Sequence, residues 1–82
     1  MKKIEIQANT QIQYVTTPVP GNFHSKPLSP EALAHINRTL RTTFTHATVH
    51  FDPRAQELGL SFNPLVTALC FEDHYGTCII VG

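Results

Sequence analysis

The stretch SPEALAHINRTLRTTF, residues 29–44, carries the clearest secondary-structure signal in the sequence. Ser29 is a typical N-cap residue, Pro30 suits the first helical position, and Glu31 interacts favourably with the positive end of the helix dipole. Apolar residues then follow at spacings of three or four and form one stripe: Leu33, Ile36, Leu40 and Phe44. The pattern predicts one main amphipathic helix over about residues 30–44, with threonines weakening its end.

The segment before this helix shows the alternation of a half-buried strand. Except for Thr10, the even positions between 4 and 14 are apolar, and polar residues lie between them. The segment therefore forms either one long strand or a bulged hairpin. A three-residue turn at 9–11 keeps apolar residues paired with apolar residues, which favours the hairpin.

The segment after the helix predicts two more pairs of strands. Residues 47–51 and 58–62 alternate around the turn-forming sequence Asp-Pro-Arg and predict an antiparallel hairpin. Residues 65–71 and 77–81 do not alternate but carry apolar residues on both faces, which predicts strands that are covered on both faces. The chain is thus expected to be a single α+β domain over 1–82, with the helix on one face of a mostly antiparallel sheet of five or six strands.

Between the first strands and the helix lies a proline-rich connector, residues 17–28. Its three prolines and one glycine are incompatible with a helix or a central strand. Its apolar residues Val19 and Phe23 could fold back over one face of the sheet.

Charge and composition exclude several classes of function. Six basic and six acidic residues cancel, which argues against strong nonspecific binding to nucleic acid or to anionic membranes. No run is apolar and long enough to be a signal peptide or to cross a bilayer. Two cysteines do not make a disulfide framework. These features predict a soluble cytoplasmic protein without a membrane or nucleic-acid partner.

A shortage of cover for the sheet is the main functional signal. A fifteen-residue helix is about 22 Å long and about 10 Å wide, so it shields only one face of a sheet whose strands are about 4.8 Å apart. The doubly apolar strands then need a second cover, either the connector or another protein chain. The residues predicted to bind that partner are Val66, Ala68, Cys70, Cys78 and Ile80.

The polar face of the helix supplies a second set of candidates. His35, Arg38 and Arg41 recur every three residues, opposite the apolar stripe. Such a set could contact an anion or a carboxylate-rich partner. An ordinary solvated helix face explains the same pattern.

Catalytic and metal-binding chemistry has little support in the sequence. His46 and His50 lie in a strand pattern, about 13 Å apart, which is too far for one zinc ion. Cys70, His74 and Cys78 leave a zinc ligand missing, and apolar surroundings raise thiol pKa values instead of activating a nucleophile. We therefore predict no catalytic residues, no metal and no cofactor.

Together these observations predict a small non-enzymatic interaction protein that acts as a homodimer on another macromolecule. An adaptor, an inhibitor or an antitoxin-like regulator of the kind encoded by phages or plasmids would fit by size alone. One alternative is a protein that binds a small nucleotide-like anion through Arg38 and Arg41. A metal- or thiol-dependent enzyme is the other alternative.

Overall fold

The computed structural model describes residues 2–82 and contains a five-stranded antiparallel sheet and two helices. The sheet order is β2-β1-β5-β4-β3. In chain order the elements are β1 (Lys3–Ile6), β2 (Ile12–Val15), β3 (His24–Pro27), α1 (Pro30–Leu40), β4 (Thr48–Phe51), α2 (Pro64–Cys70) and β5 (Cys78–Val81). The predicted α+β class with an antiparallel sheet is confirmed, although there are two helices and not one main helix.

The N-terminal alternation forms a hairpin, as the parity of its apolar residues favoured. Ile6 lies opposite Ile12 and Ile4 opposite Tyr14, so apolar residues pair across β1 and β2. The turn occupies residues 8–10, one position earlier than predicted, and Thr10 adopts the left-handed conformation with φ of 70°. Such a three-residue loop suits the twist of a hairpin.

Helix α1 begins as predicted and ends earlier. Ser29 is the N-cap, and its Oγ accepts a hydrogen bond from the Ala32 amide at 3.2 Å. The helix stops at Leu40 instead of Phe44 because Arg41 takes a left-handed C-cap conformation. Asn37 stabilises this end, since its Oδ1 accepts from the Phe44 amide and from the Thr42 hydroxyl. Phe44 still packs against the core from the following loop.

The chain between residues 58 and 71 differs most from the prediction. Residues 58–62 form no strand, and only an isolated bridge joins Phe62 to Tyr75. Residues 65–71 were predicted as a strand, but Pro64–Cys70 is helix α2. A short apolar run fits a buried strand or a buried helix equally well, and here the preceding Asn-Pro pair supplies an N-cap and a first helical residue.

Asn63 joins three parts of the molecule from a fully buried position. Its Oδ1 accepts a hydrogen bond from the Val66 amide at 3.1 Å and so caps α2. Its Nδ2 donates to the carbonyl of Ile6 at 3.0 Å and to that of Gly76 at 2.9 Å. The start of α2 is thereby fixed against the end of β1 and the turn before β5.

The core lies between the two helices and one face of the sheet. Alternation along each strand sends every second side chain to this face. Its fully packed members are Ile4, Ile6, Ile36, Ala47, Val49, Val66, Leu69, Cys78 and Ile80. Both helices contribute to one cluster, so the helical cover of this face is wider than one helix could supply.

The opposite face of the sheet is crossed by the proline-rich connector. Strands β2 and β3 lie at the two edges, so residues 16–23 span the full width of the sheet. Lys3, whose side chain points away from the core, donates from Nζ to the carbonyl of Thr17 at 2.8 Å, which places the start of the connector on this face. Ile79, on the same face of the central strand, is only 5% exposed.

These two covers remove the shortage of shielding on which the sequence-based partner prediction rested. Helix α2 adds a second helix on one face, and the connector runs across the other. The central strands of the sheet are therefore covered, and a docking surface is to be sought at its edges.

Candidate functional site

The two edge strands of the sheet differ in how well they are protected against pairing with another chain. Strand β3 contains Lys26 and Pro27, and charges and prolines are common devices for blocking an edge. Strand β2 reads Ile-Gln-Tyr-Val and contains neither. It lies within residues 6–25, a stretch without any Asp, Glu, Lys or Arg. The β2 edge is thus the unprotected edge of the sheet.

The backbone of β2 presents hydrogen-bonding groups to solvent. The amide of Gln7 donates to the carbonyl of Gln11 at 2.9 Å. Because hydrogen-bonded and non-hydrogen-bonded pairs alternate along an antiparallel ladder, Gln13 also bonds towards β1. The N–H and C=O groups of Ile12 and Tyr14 consequently point away from the sheet.

The side chains at this edge are apolar and exposed. Ile12 is 46% exposed and Tyr14 is 63% exposed, although both lie on the face that carries the helices. A groove of about 240 Å³ separates them from the end of α1. Its lining residues are Ile4, Ile12, Tyr14, Thr39, Leu40 and Arg41. Open backbone groups and an apolar groove together form a surface on which a further strand could pair.

The five residues predicted to bind a partner lie elsewhere. Val66, Cys78 and Ile80 are fully buried in the core of this chain, and Cys70 is half-buried beside them. Ala68 is exposed on α2. The prediction that they share one open sheet face is wrong for Val66, Ala68 and Cys70, because their segment is a helix.

The predicted contact residues of α1 face different neighbours. His35 stacks on Phe71, with ring centroids 5.6 Å apart and an angle of 22° between the rings. Arg41 lies beyond the helix end and lines the groove next to Tyr14. Arg38 is exposed in the last turn of the helix. The structure therefore separates His35 from Arg41.

A second polar cluster connects β3 to the turn that follows α2. Lys26 Nζ and Glu72 Oε2 form an ion pair at 2.7 Å, and Glu72 Oε1 lies 3.5 Å from Nε2 of His74. The hydrogen bond from Lys26 keeps the pKa of Glu72 below its ordinary value. Burial lowers the pKa of His74, against the opposing influence of the Glu72 carboxylate. The cluster thus holds a charged carboxylate beside a neutral imidazole at neutral pH.

This cluster borders a pocket of about 360 Å³ between the loop after β4 and the turn after α2. Its walls include Phe51, Asp52, Glu72, Asp73, His74 and Tyr75. The ring of His74 meets that of Phe51 edge to face, with centroids 5.2 Å apart. The pocket therefore combines carboxylates with aromatic surface.

The two thiols are not activated. Burial is the main cause that raises the pKa of Cys70 to about 11 and that of Cys78 to about 12. Both are free and remain protonated at neutral pH. Among residues 2–82, no three His, Cys, Asp or Glu side chains are placed to hold a metal ion together. No helix within the described chain is long and apolar enough to cross a bilayer.

Sequence reasoning missed the β2 edge as a site, although the uncharged stretch around it is visible in the sequence. It also considered His74 only as one member of an incomplete zinc site. Comparison of the chain with protein-family models, with curated proteins and with solved structures found no match.

Proposed function

We propose that this protein is a non-enzymatic interaction protein that pairs through its β2 edge with a strand of another polypeptide, in the first instance a second copy of itself. The observation that carries the proposal is the unprotected edge, with outward backbone groups and exposed side chains at Ile12 and Tyr14. Strand addition at a sheet edge is a common mode of protein recognition.

The edge is suited to pairing with itself around a twofold axis. In an antiparallel arrangement with Gln13 opposite its own copy, Ile12 of one protomer lies opposite Tyr14 of its partner, and Tyr14 lies opposite the partner's Ile12. The outward groups then make about four backbone hydrogen bonds. The paired apolar side chains meet on the helical face, and no charged side chain of β2 opposes another.

Such an interface is small. Four-residue strands bury less than the roughly 1,200 Å² of a typical stable interface, so we expect a dissociation constant of about 1–100 µM. A target protein with an extended apolar segment would compete for the same edge. A protein that exchanges its own dimer contact for a target segment in this way would act as an adaptor or an inhibitor.

The test is analytical ultracentrifugation, which measures the molar mass of the protein in solution. Protein concentrations of about 1 to 500 µM cover the range set by the expected dissociation constant. The native chain should change from monomer to dimer as its concentration rises. The variant Tyr14→Lys should remain monomeric, since it places like charges at the centre of the edge. Leu58→Lys is the matched control, because Leu58 is comparably exposed at 54% but lies in the loop between β4 and α2. A native chain that stays monomeric throughout, or a Tyr14→Lys variant that dimerises equally well, would overturn the proposal.

A further inference from the structure

The acidic residues of the chain are concentrated on one part of the structure. Four of the six lie within residues 52–73, and Arg54 is the sole lysine or arginine after Arg41. Those four are Asp52, Glu57, Glu72 and Asp73. The chain is neutral overall, so this segment is locally negative.

Three of these carboxylates line the pocket of about 360 Å³ described above. Glu57 lies outside it and pairs with Arg54 at 3.5 Å. Lys26 neutralises one oxygen of Glu72, whereas Glu72 Oε1 accepts no hydrogen bond from the described residues. Asp52 and Asp73 therefore give the pocket a net negative charge.

His74 provides an observation independent of the charge. Its side chain is only 4% exposed, and its Nε2 has no hydrogen-bond partner within residues 2–82. That nitrogen points at Glu72 Oε1 from 3.5 Å, beyond the usual hydrogen-bond distance. Buried polar atoms are nearly always hydrogen-bonded, so an unpartnered nitrogen beside an incompletely bonded carboxylate leaves hydrogen-bonding capacity that a ligand in the pocket could use.

The backbone around His74 is fixed, which makes the pocket preformed. The amide of His74 donates to Thr67 Oγ1 at 2.9 Å, and its carbonyl accepts from the Asn63 amide at 2.8 Å. A rigid wall reduces the entropy that a ligand must overcome on binding.

The aromatic walls favour an organic cation. Phe51 and Tyr75 border the same space as the carboxylates, and aromatic rings attract ammonium and guanidinium groups. The described residues offer no set of three metal ligands. Beside Tyr75 the surface is apolar and exposed at Phe62, whose ring lies 5.4 Å from that of Tyr75. Such a surface can receive the residues that flank a basic side chain in a polypeptide.

We propose that the pocket between the β4–α2 loop and the turn after α2 binds a lysine or arginine side chain of a partner protein, with Asp52, Glu72 and Asp73 as the charged contacts. The site lies away from the β2 edge. The signals that report on this site come from residues 52–56 and 72–75 and not from β2. The result therefore does not depend on whether the protein dimerises.

The experiment is a titration of the isotope-labelled protein, followed by amide chemical shifts. The probes are N-acetyl-lysine amide and N-acetyl-arginine amide, with N-acetyl-norleucine amide as the neutral control. The two cations should shift amides at residues 52–56 and 72–75 with millimolar dissociation constants that weaken as salt is added. Equal shifts with the norleucine probe, or no shifts with either cation, would overturn the proposal.

Variants make the assignment specific. Asp52→Asn keeps the oxygen that accepts from the Arg54 amide at 2.9 Å, so the local turn is preserved while the charge is removed. Asp52→Asn and Asp73→Asn should each weaken cation binding about threefold, the effect expected for a partly exposed ion pair. Glu31→Gln, on α1, should change nothing. Unaltered affinity in both pocket variants would place the cation elsewhere.

Peptide and free-amine probes identify the source of the cation. A short peptide with arginine between leucine and phenylalanine should bind at least tenfold more tightly than the single-residue probe, because its apolar residues can pack on Phe62 beside the pocket. Spermidine binding more tightly than that peptide would refute the assignment to a protein partner.

Discussion

Replacing Asn63 with alanine removes the side chain that joins α2, β1 and the turn before β5. The N-cap hydrogen bond to the Val66 amide is lost, which costs about 1 kcal/mol. The two buried hydrogen bonds to the carbonyls of Ile6 and Gly76 contribute about 0.5–1.5 kcal/mol each. The expected loss in the free energy of unfolding is therefore roughly 2–4 kcal/mol.

That loss is large for a domain of this size. A chain of 82 residues has a free energy of unfolding of about 4–12 kcal/mol. Asn63→Ala should therefore lower the urea midpoint strongly, measured by circular dichroism at one fixed protein concentration. The slope of the denaturation curve should stay unchanged if the fold is retained.

Ser29→Ala is the matched control, because Ser29 caps α1 at an exposed position and makes one side-chain hydrogen bond. It should cost about 1 kcal/mol. Asn63→Asp keeps a cap acceptor but has no N–H group to donate, so it should not restore stability. If Asn63→Ala costs no more than Ser29→Ala, the two carbonyl contacts do not stabilise the fold and the reasoning fails.

Two further predictions concern titrating groups. Burial lowers the pKa of His74, so below its ordinary value of 6.5 the unfolded state binds more protons than the folded state. The free energy of unfolding should consequently fall as pH is lowered from 7.5 to about 5.5, and it should fall less in His74→Gln. Urea denaturation at several pH values measures this; the same pH dependence in both proteins would contradict the prediction. Burial raises the pKa of Cys70 to about 11 and that of Cys78 to about 12. Both thiols should therefore react slowly with a disulfide reagent at pH 8 and rapidly in denaturant. Comparable rates in both conditions would show that the thiols are not shielded.

Local signals in the sequence were enough to predict the start of α1 and to favour a hairpin near the N-terminus, but the predicted turn at 9–11 pairs Ile6 with Tyr14, whereas Ile6 lies opposite Ile12. Ser29, Pro30 and Glu31 act within one turn of helix, and the parity of Ile4, Ile6, Ile12 and Tyr14 restricts the hairpin register. The end of α1 was misplaced because the apolar stripe continues to Phe44 after the backbone has left the helix. The side chain of Asn37, which holds that exit, gives no periodic signal.

Helix α2 and the position of each strand in the sheet could not be read from the sequence. Residues 65–71, apolar except for Thr67, can form a buried strand or a short helix, and the local Asn-Pro signal for a helix is supported by a contact of Asn63 with β1, far away in the chain. Whether β2 is central or at an edge depends on strand order, which is a property of the whole fold. Apart from Ala68, the partner prediction therefore selected buried or half-buried residues, and the exposed edge became visible only in the structure.

The sheet order has a consequence for the folding pathway. Strand β1 pairs with β2 and β3 pairs with β4, but β5 lies between these two pairs and hydrogen-bonds to both β1 and β4. Contacts such as Ile4 with Ile80 join residues more than seventy positions apart, and closing such long loops slows folding. Until β5 inserts, the inner edges of β1 and β4 are open, so an incompletely folded chain offers more sites for aggregation than the native protein does.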